Sequence, residues 1–318
     1  MPTSAATDAS EAVRDGKASA GGQRLDVRKT YKLYIGGTFP RSESGRSYEV
    51  VSAGRSPVFM ANAALGSRKD ARDAVVAARK AFAGWSTATA YNRGQVLYRV
   101  AELLEGRRAQ FVDEVSRGEG LTRARAEKTV DAAIDRWVWY AGWTDKLAQV
   151  MGNLNPVAGP YFDISAPEPT GVVAVLAPQQ SSLLGLVSVI APVIVSGNAV
   201  VVLASEKRPL PAVSLSEVLA TSDVPGGVVN VLTGRTAEVA PWLASHMDVN
   251  AIDLAGAAGA EGVAWGDLEA AAAENVKRVL RPAGTGADAV EPDWMPVPDP
   301  SRMRAFLETK TVWHPKGT

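Results

Sequence analysis

Nucleophilic and proton-transfer chemistry draws on thiols, imidazoles and activated hydroxyls. This sequence has no cysteine and only two histidines, His246 and His314. Without a thiol there is no disulfide, no thiolate metal site and no cysteine nucleophile. A serine nucleophile needs a base beside it. His246, in the segment LASHMDV, reads as a surface or helix-end residue rather than that base. What remains is a set of polar or glycine-containing turns that follow short apolar runs. Backbone N–H groups at the start of a helix after such a turn can hold phosphate.

The elements that position those turns can be read from periodicity. Tyr31 to Pro40 predicts a strand, a tight turn at Gly36-Gly37 and a return, with Tyr48 to Val51 available to pair. A helix follows with Ser67 or Asp70 as N-cap. Ala71, Ala74, Val75, Ala78, Phe82 and Trp85 mark its buried face. Two more helices are predicted, from about Asn92 to Val115 and from about Ala124 to Gln149. Trp137, Trp139 and Trp143 read as a core and subunit stripe on the last of these.

Beyond Gly171 the pattern changes. The runs Gly171 to Ala177, Ala199 to Leu203, Val228 to Leu232 and Ala251 to Leu254 are short and apolar on both faces. Helical segments separate them, at Leu183 to Val195, Leu210 to Ala220 and about Thr236 to Ser245. Strands of this kind, alternating with helices, predict an α/β fold with a doubly wound parallel sheet covered on both sides. Ligands of such sheets bind beyond the carboxyl ends of the strands. Residues 256–280 are Ala-rich and read as helical in their second half. Residues 281–300, with five prolines, read as a linker, and residues 301–318 as a C-terminal strand for oligomerisation. Arg302 and Arg304 read as a solvated face. Residues 1–30, rich in Ala, Ser, Gly and mixed charge, read as a disordered tail.

Lysine plus arginine and aspartate plus glutamate both number 34, which gives no electrostatic reason to expect nucleic acid or a charged membrane as partner. No run approaches the roughly 18–20 apolar residues of a membrane helix. The absence of a signal-peptide core makes the cytoplasm the expected compartment.

Several segments, taken in order, give the sequence a family likeness. KLYIGGTF with SESGRSYEV, PTGVVAVLAP, APVIVSGNAVVVLASEKRPL, VPGGVVNVLTG and the terminal ETKTVWHP resemble the aldehyde dehydrogenase superfamily, with VPGGVVNVLTG at Val224 to Gly234 the clearest. The resemblance implies a Rossmann-like nucleotide-binding domain over residues 31–280 and an oligomerisation strand at the end. Roughly forty residues follow Leu280, too few for the family's catalytic domain of ~100 residues, so a truncated member is expected.

The same resemblance assigns residues. The family attacks its aldehyde with a thiolate, which this sequence lacks. Its general-base motif has no counterpart in RVLRPAGTG. Gln180 stands at the family's oxyanion asparagine, or is simply part of a polar loop. Glu206 matches the glutamate that holds the adenosine ribose, while the ribose lysine is replaced by Leu203. Losing that charged hydrogen bond would cost roughly 1.5–3 kcal/mol, one to two decades in affinity. Gly226 and Gly227 would line the adenine side, or only shape a loop. Gly256 matches the first residue of the phosphate-binding turn, followed by Ala257 and Ala258 where the family has hydroxyls. A weakened NAD or NADP site comprising Gln180, Glu206, Gly226, Gly227 and Gly256 is therefore expected. The expected function is a non-catalytic subunit that assembles with itself or with a full-length aldehyde dehydrogenase. The alternative is NAD(P)-dependent oxidoreduction of an aldehyde without a cysteine.

Overall fold

A computed structural model describes residues 29–284 and 289–316. Residues 1–28, most of the expected tail, lie outside the described residues. The chain opens with β1 (Thr30–Tyr31), β2 (Ser47–Val51) and β3 (Phe59–Ala64), a small sheet in the order β1-β3-β2. The turn at Gly36-Gly37 puts both glycines at positive φ, 61° and 82°, which lets Ile35 and Thr38 bridge.

Helices α1 (Arg68–Thr87), α2 (Ala90–Gly106), α3 (Arg108–Glu119), α4 (Arg123–Ala141) and α5 (Leu147–Met151) follow. The start of α1 is fixed by a reciprocal cap. Ser67 Oγ accepts from the N–H groups of Lys69 and Asp70, and the Asp70 carboxylate accepts from Ser67 N at 2.8 Å. The expected helix from Asn92 to Val115 is two helices broken at Arg107, whose φ of −109° leaves the helical range. Its side chain turns there to Gln110 at 3.2 Å and to Glu217 at 2.5 Å. The expected third helix stops at Ala141 and resumes only as the short α5.

Strands β4 (Asn153–Asn155) and β5 (Tyr161–Pro169) come next. Then the parallel unit begins with β6 (Val172–Leu176), α6 (Leu184–Val195), β7 (Ala199–Leu203), α7 (Leu210–Ala220), β8 (Val229–Leu232), α8 (Thr236–Ser245) and β9 (Ala251–Asp253). A 3-10 turn at Ala255–Gly259, α9 (Trp265–Ala273) and β10 (Arg278–Leu280) complete it. The order is β10-β9-β6-β7-β8, with every neighbouring pair parallel. This is the doubly wound sheet the apolar runs predict. Both faces are buried by alternation. Val173, Val175, Val200, Val202, Val229 and Val231 join α2, α3, α4, α6 and α7 in one core. Val172, Ala174, Leu176, Val201, Leu203 and Leu232 join α1, α8 and α9 in the other.

The last elements are α10 (Ser301–Ala305) and β11 (Leu307–Pro315). Strand β11 pairs antiparallel with β5 along nine residues, giving a separate sheet in the order β11-β5-β4. Three sequence expectations fail in the C-terminal part. Within the expected linker, residues 289–300 are anchored to the fold rather than free. Trp294 is buried, and Arg136 Nη2 donates to the Pro296 carbonyl at 2.7 Å. Proline density removes backbone donors but does not stop one aromatic anchor from packing. Arg302 is not a solvated charge: it pairs with the fully buried Asp253 and lies 5.3 Å from the Trp294 ring centroid. Residues 256–280 end in β10, a strand that the Ala-rich composition conceals.

Candidate functional site

The carboxyl ends of β6 to β9 bring together the turns at 177–182, 204–208, 233–236 and 254–259. A web of hydrogen bonds binds the first two. Gln179 Oε1 accepts from Glu206 N at 3.0 Å, Gln179 Nε2 donates to the Ala177 carbonyl at 2.9 Å, and Ser205 Oγ donates to the Gln179 carbonyl at 3.0 Å. Arg208 Nη1 donates to the carbonyl and the side-chain oxygen of Gln180, both at 2.7 Å. The carbonyls of this turn thus point to Arg208.

The N–H groups of the same turn point to a carboxylate from far along the chain. Glu291 accepts from the backbone N–H of Gln179 and, at 3.0 and 3.1 Å, from that of Gln180. Burial raises the Glu291 carboxyl above its ordinary value, against the pull of these donors and of Arg208. One turn further on, Glu119 accepts from Ser182 N at 2.6 Å and Ser182 Oγ at 2.7 Å; its carboxyl is also raised by burial. Sequence reasoning missed both glutamates. Each reaches the turn from a distant segment with no local motif.

Of the expected site residues, the structure gathers Gln180, Glu206 and Gly256 near these strand ends and places Gly226 and Gly227 elsewhere. The two glycines precede β8 and so lie at the amino end of the parallel sheet, opposite the cleft. A Cβ on Gly226 would sit 2.7 Å from the Gly36 carbonyl oxygen, and one on Gly227 would sit 2.6 Å from that of Ala77. They permit close approach of the first hairpin and α1, which corrects their assignment to the adenine side. The residues that follow β8 at the cleft are Thr233, Gly234 and Arg235.

Glu206 follows β7 at the strand ends, and its carboxylate is engaged. It accepts from Arg235 Nη1 and from Thr236 N–H, both at 3.0 Å. Leu203 is fully buried in the core against α1 and α8, and Lys207 extends outward to Glu261 at 3.4 Å. A Cβ on Gly256 would lie 2.0 Å from the Ala177 carbonyl oxygen, so this glycine serves contact with the end of β6. The helix start expected after it is absent: a five-residue 3-10 turn stands there, and α9 begins only at Trp265. Gln180 is exposed, with its side-chain oxygen committed to Arg208. His246 caps the carboxyl end of α8, where its Nδ1 accepts from Asp248 N at 3.2 Å.

The family resemblance implies NAD or NADP, and the residues present do not fit it. The cavity bounded by Gln179, Gln180, Glu206, Lys207, Arg208, Gly259 and Glu261 measures about 50 Å³, against the ~300 Å³ or more of ordinary ligand pockets. The donor nest holds a carboxylate, and the ribose glutamate is paired. Larger cavities lie both away from this turn and beside it. One of about 650 Å³ is on the outer side of α1 and α8, around Arg68 and Trp242. Another, of about 400 Å³, opens beside the same turn, lined by Glu119, Gln180, Ser181 and Glu291, and one of about 380 Å³ lies at Ala257 and Ala258. Among the described residues no cluster of three or more His, Asp or Glu could hold a metal ion.

Comparison with known proteins bears on the fold and its family. A sequence profile of the aldehyde dehydrogenase family matches residues 39–293. Cytosolic aldehyde dehydrogenase 1 of Elephantulus edwardii is 31% identical over 257 residues, covering 80% of this chain and 50% of the relative. Human aldehyde dehydrogenase 1A1 is 30% identical over 266 residues, covering 81% and 51%. Among solved structures, an NAD+ complex of Bacillus cereus aldehyde dehydrogenase superposes with a TM-score of 0.73 at 24% identity, covering 79% of this chain and 50% of that one. PnpE from Pseudomonas sp. WBC-3 superposes with a TM-score of 0.74 at 27% identity, covering 79% and 50%. The chain spans about half the length of the curated relatives it matches.

Proposed function

The chain belongs to the aldehyde dehydrogenase family, and on that premise we propose that it acts through assembly rather than catalysis, with a second copy or a full-length family member as partner. The observation that carries this reading is the β11-β5-β4 sheet. Leu154, Ile164 and Val312 are direct cross-strand partners and therefore share one face. They are 66%, 47% and 47% exposed, and Phe162, two residues from Ile164, adds to the same face. The opposite face carries the polar side chains of Asp163 and Ser165, both buried, with Ser165 Oγ 2.8 Å from Thr311 Oγ1. An apolar row turned outward across a three-stranded sheet, with the nine-residue β11 at its open edge, favours association when left uncovered.

The site chemistry supports the same reading. These 318 residues carry no cysteine, and the two histidines lie at the end of α8 and on β11. NAD(P) binding, suggested by the family, has its ribose glutamate and its backbone donors already engaged within the chain. The cytosol is the proposed compartment, in keeping with the names of several relatives; among the described residues no helix is long and apolar enough to cross a membrane.

The test is co-expression with a tagged full-length aldehyde dehydrogenase, followed by purification on the tag and size measurement. The expected result is a stoichiometric complex, or a homo-oligomer of the chain when it is expressed alone. A chain that stays monomeric in both experiments would contradict the proposal.

A further inference from the structure

We propose that the backbone N–H groups of Gln179 and Gln180 form an oxyanion-binding nest whose resident is the chain's own Glu291 carboxylate, which shuts the phosphates of a dinucleotide out of this cleft. Successive backbone N–H groups converging on one point make a concavity selective for anions, and hydrogen bonds to an ionised acceptor are stronger than neutral ones. Here the convergence is onto both oxygens of a single carboxylate. Arg208 draws the carbonyls of residues 179 and 180 to the other side of the turn, which fixes the direction of the N–H groups. Gly259 closes the third side. A Cβ there would stand 2.9 Å from Glu291 Oε1, so the absence of a side chain leaves room for the carboxylate.

The segment that carries Glu291 is held in place. Trp294 is buried three residues on, the Pro296 carbonyl accepts from Arg136, and Arg302 pairs with Asp253 beneath β9. Tethering of this kind gives the carboxylate a high effective concentration at the nest, well above that of a free competitor at low millimolar concentration. The neighbouring Glu206 is engaged in the same fashion by Arg235 and Thr236 N–H. Both acidic groups at the strand ends are thus satisfied by the chain itself. This holds whether or not the chain assembles, so its test is separate from that of the assembly proposal.

The experiment compares the full chain with its Glu291→Ala and Glu291→Gln variants. Thermal melts and titration calorimetry are run with inorganic phosphate and with NAD, against chloride at matched ionic strength. In wild type, neither ligand is expected to shift the melt beyond chloride. Glu291→Ala should gain a phosphate-dependent rise in Tm that grows with concentration, with phosphate binding at least about tenfold tighter than in wild type. Glu291→Gln, which keeps one acceptor oxygen, should fall between. Should Glu291→Ala not fold, Gly259→Ala decides by the same criterion, because its methyl group pushes the carboxylate off the nest. A response to NAD as well as phosphate identifies a dinucleotide as the excluded ligand; a response to phosphate alone identifies a general oxyanion nest and removes the dinucleotide clause. An equal phosphate response in wild type and variant, or none in either, overturns the proposal.

Discussion

At the carboxyl ends of β6 and β7, Glu206, Glu291 and Arg208 each meet a partner from their own chain. On the β11-β5-β4 sheet, Leu154, Ile164 and Val312 face outward. The two regions are satisfied in opposite ways. Polar groups in a cleft that awaits a ligand are left free or wet, whereas here they are closed by partners from the same chain. Apolar groups on a surface that stays in water are scattered, whereas here they line up across three strands. The difference is the one the assembly proposal requires: polar groups at the strand ends closed within the chain, and an apolar row left open.

The comparison breaks most visibly at Leu203. Its side chain is fully buried among Ala71, Val75, Val201 and Leu243. Restoring the family's lysine by Leu203→Lys would bury a charge with no partner, at a cost on the order of 3–5 kcal/mol. Urea unfolding measures this. A variant as stable as wild type that also gains NAD affinity would show that the cleft is only one residue from function. On the other region, Ile164→Lys places a charge in the middle of the apolar row. Assembly is expected to weaken roughly a hundred-fold, read by sedimentation, while Val76→Lys on the exposed face of α1 leaves it unchanged. An unaltered association constant for Ile164→Lys would move the interface elsewhere.

A smaller effect concerns pH. Burial raises the carboxyls of Glu114, Glu119 and Glu291 above the ordinary 4.5. The folded chain therefore holds these protons at pH values where the unfolded chain has released them. Stability is lost as pH rises through the folded values and regained on acidification toward 4.5. Asp131, lowered by its hydrogen bond from Arg108, works in the other direction and matters only below its unfolded value. Thermal melts from neutral pH downward should show a shallow rise before acid denaturation begins, and Glu291→Gln should flatten it. A monotonic fall from neutral pH would mean that these carboxylates are solvated.

The parallel sheet was legible because Val172–Leu176 and Ala199–Leu203 are apolar on both faces, a pattern with few other solutions. Strand β5 was not, since its alternation is inverted: Phe162 and Ile164 point outward while Asp163 and Ser165 are buried. Periodicity reports amphipathic character but not which side meets water. Strand β10, only three residues long and following an Ala-rich helix, is too short to give a period. In the site, Glu206 was singled out by the family resemblance, but its partners were not. Arg235 and Thr236 lie 29 and 30 residues away. Glu291 sits among prolines more than a hundred residues from the turn that it occupies. The place of Gly226 and Gly227 was legible: they precede the run Val228 to Leu232, which in a parallel sheet sets them at the amino end, so it was the family resemblance that misassigned them to the adenine side.

The contrast between the two regions is tested most directly by amide hydrogen exchange over the whole chain, measured with and without NAD and with and without the co-expressed family member. The account predicts that residues 161–166 and 307–315 gain protection in the assembled state and that residues 177–182, 204–208 and 233–236 are unaffected by millimolar NAD. Protection of those three turns by NAD, together with no response from the sheet on assembly, would contradict it.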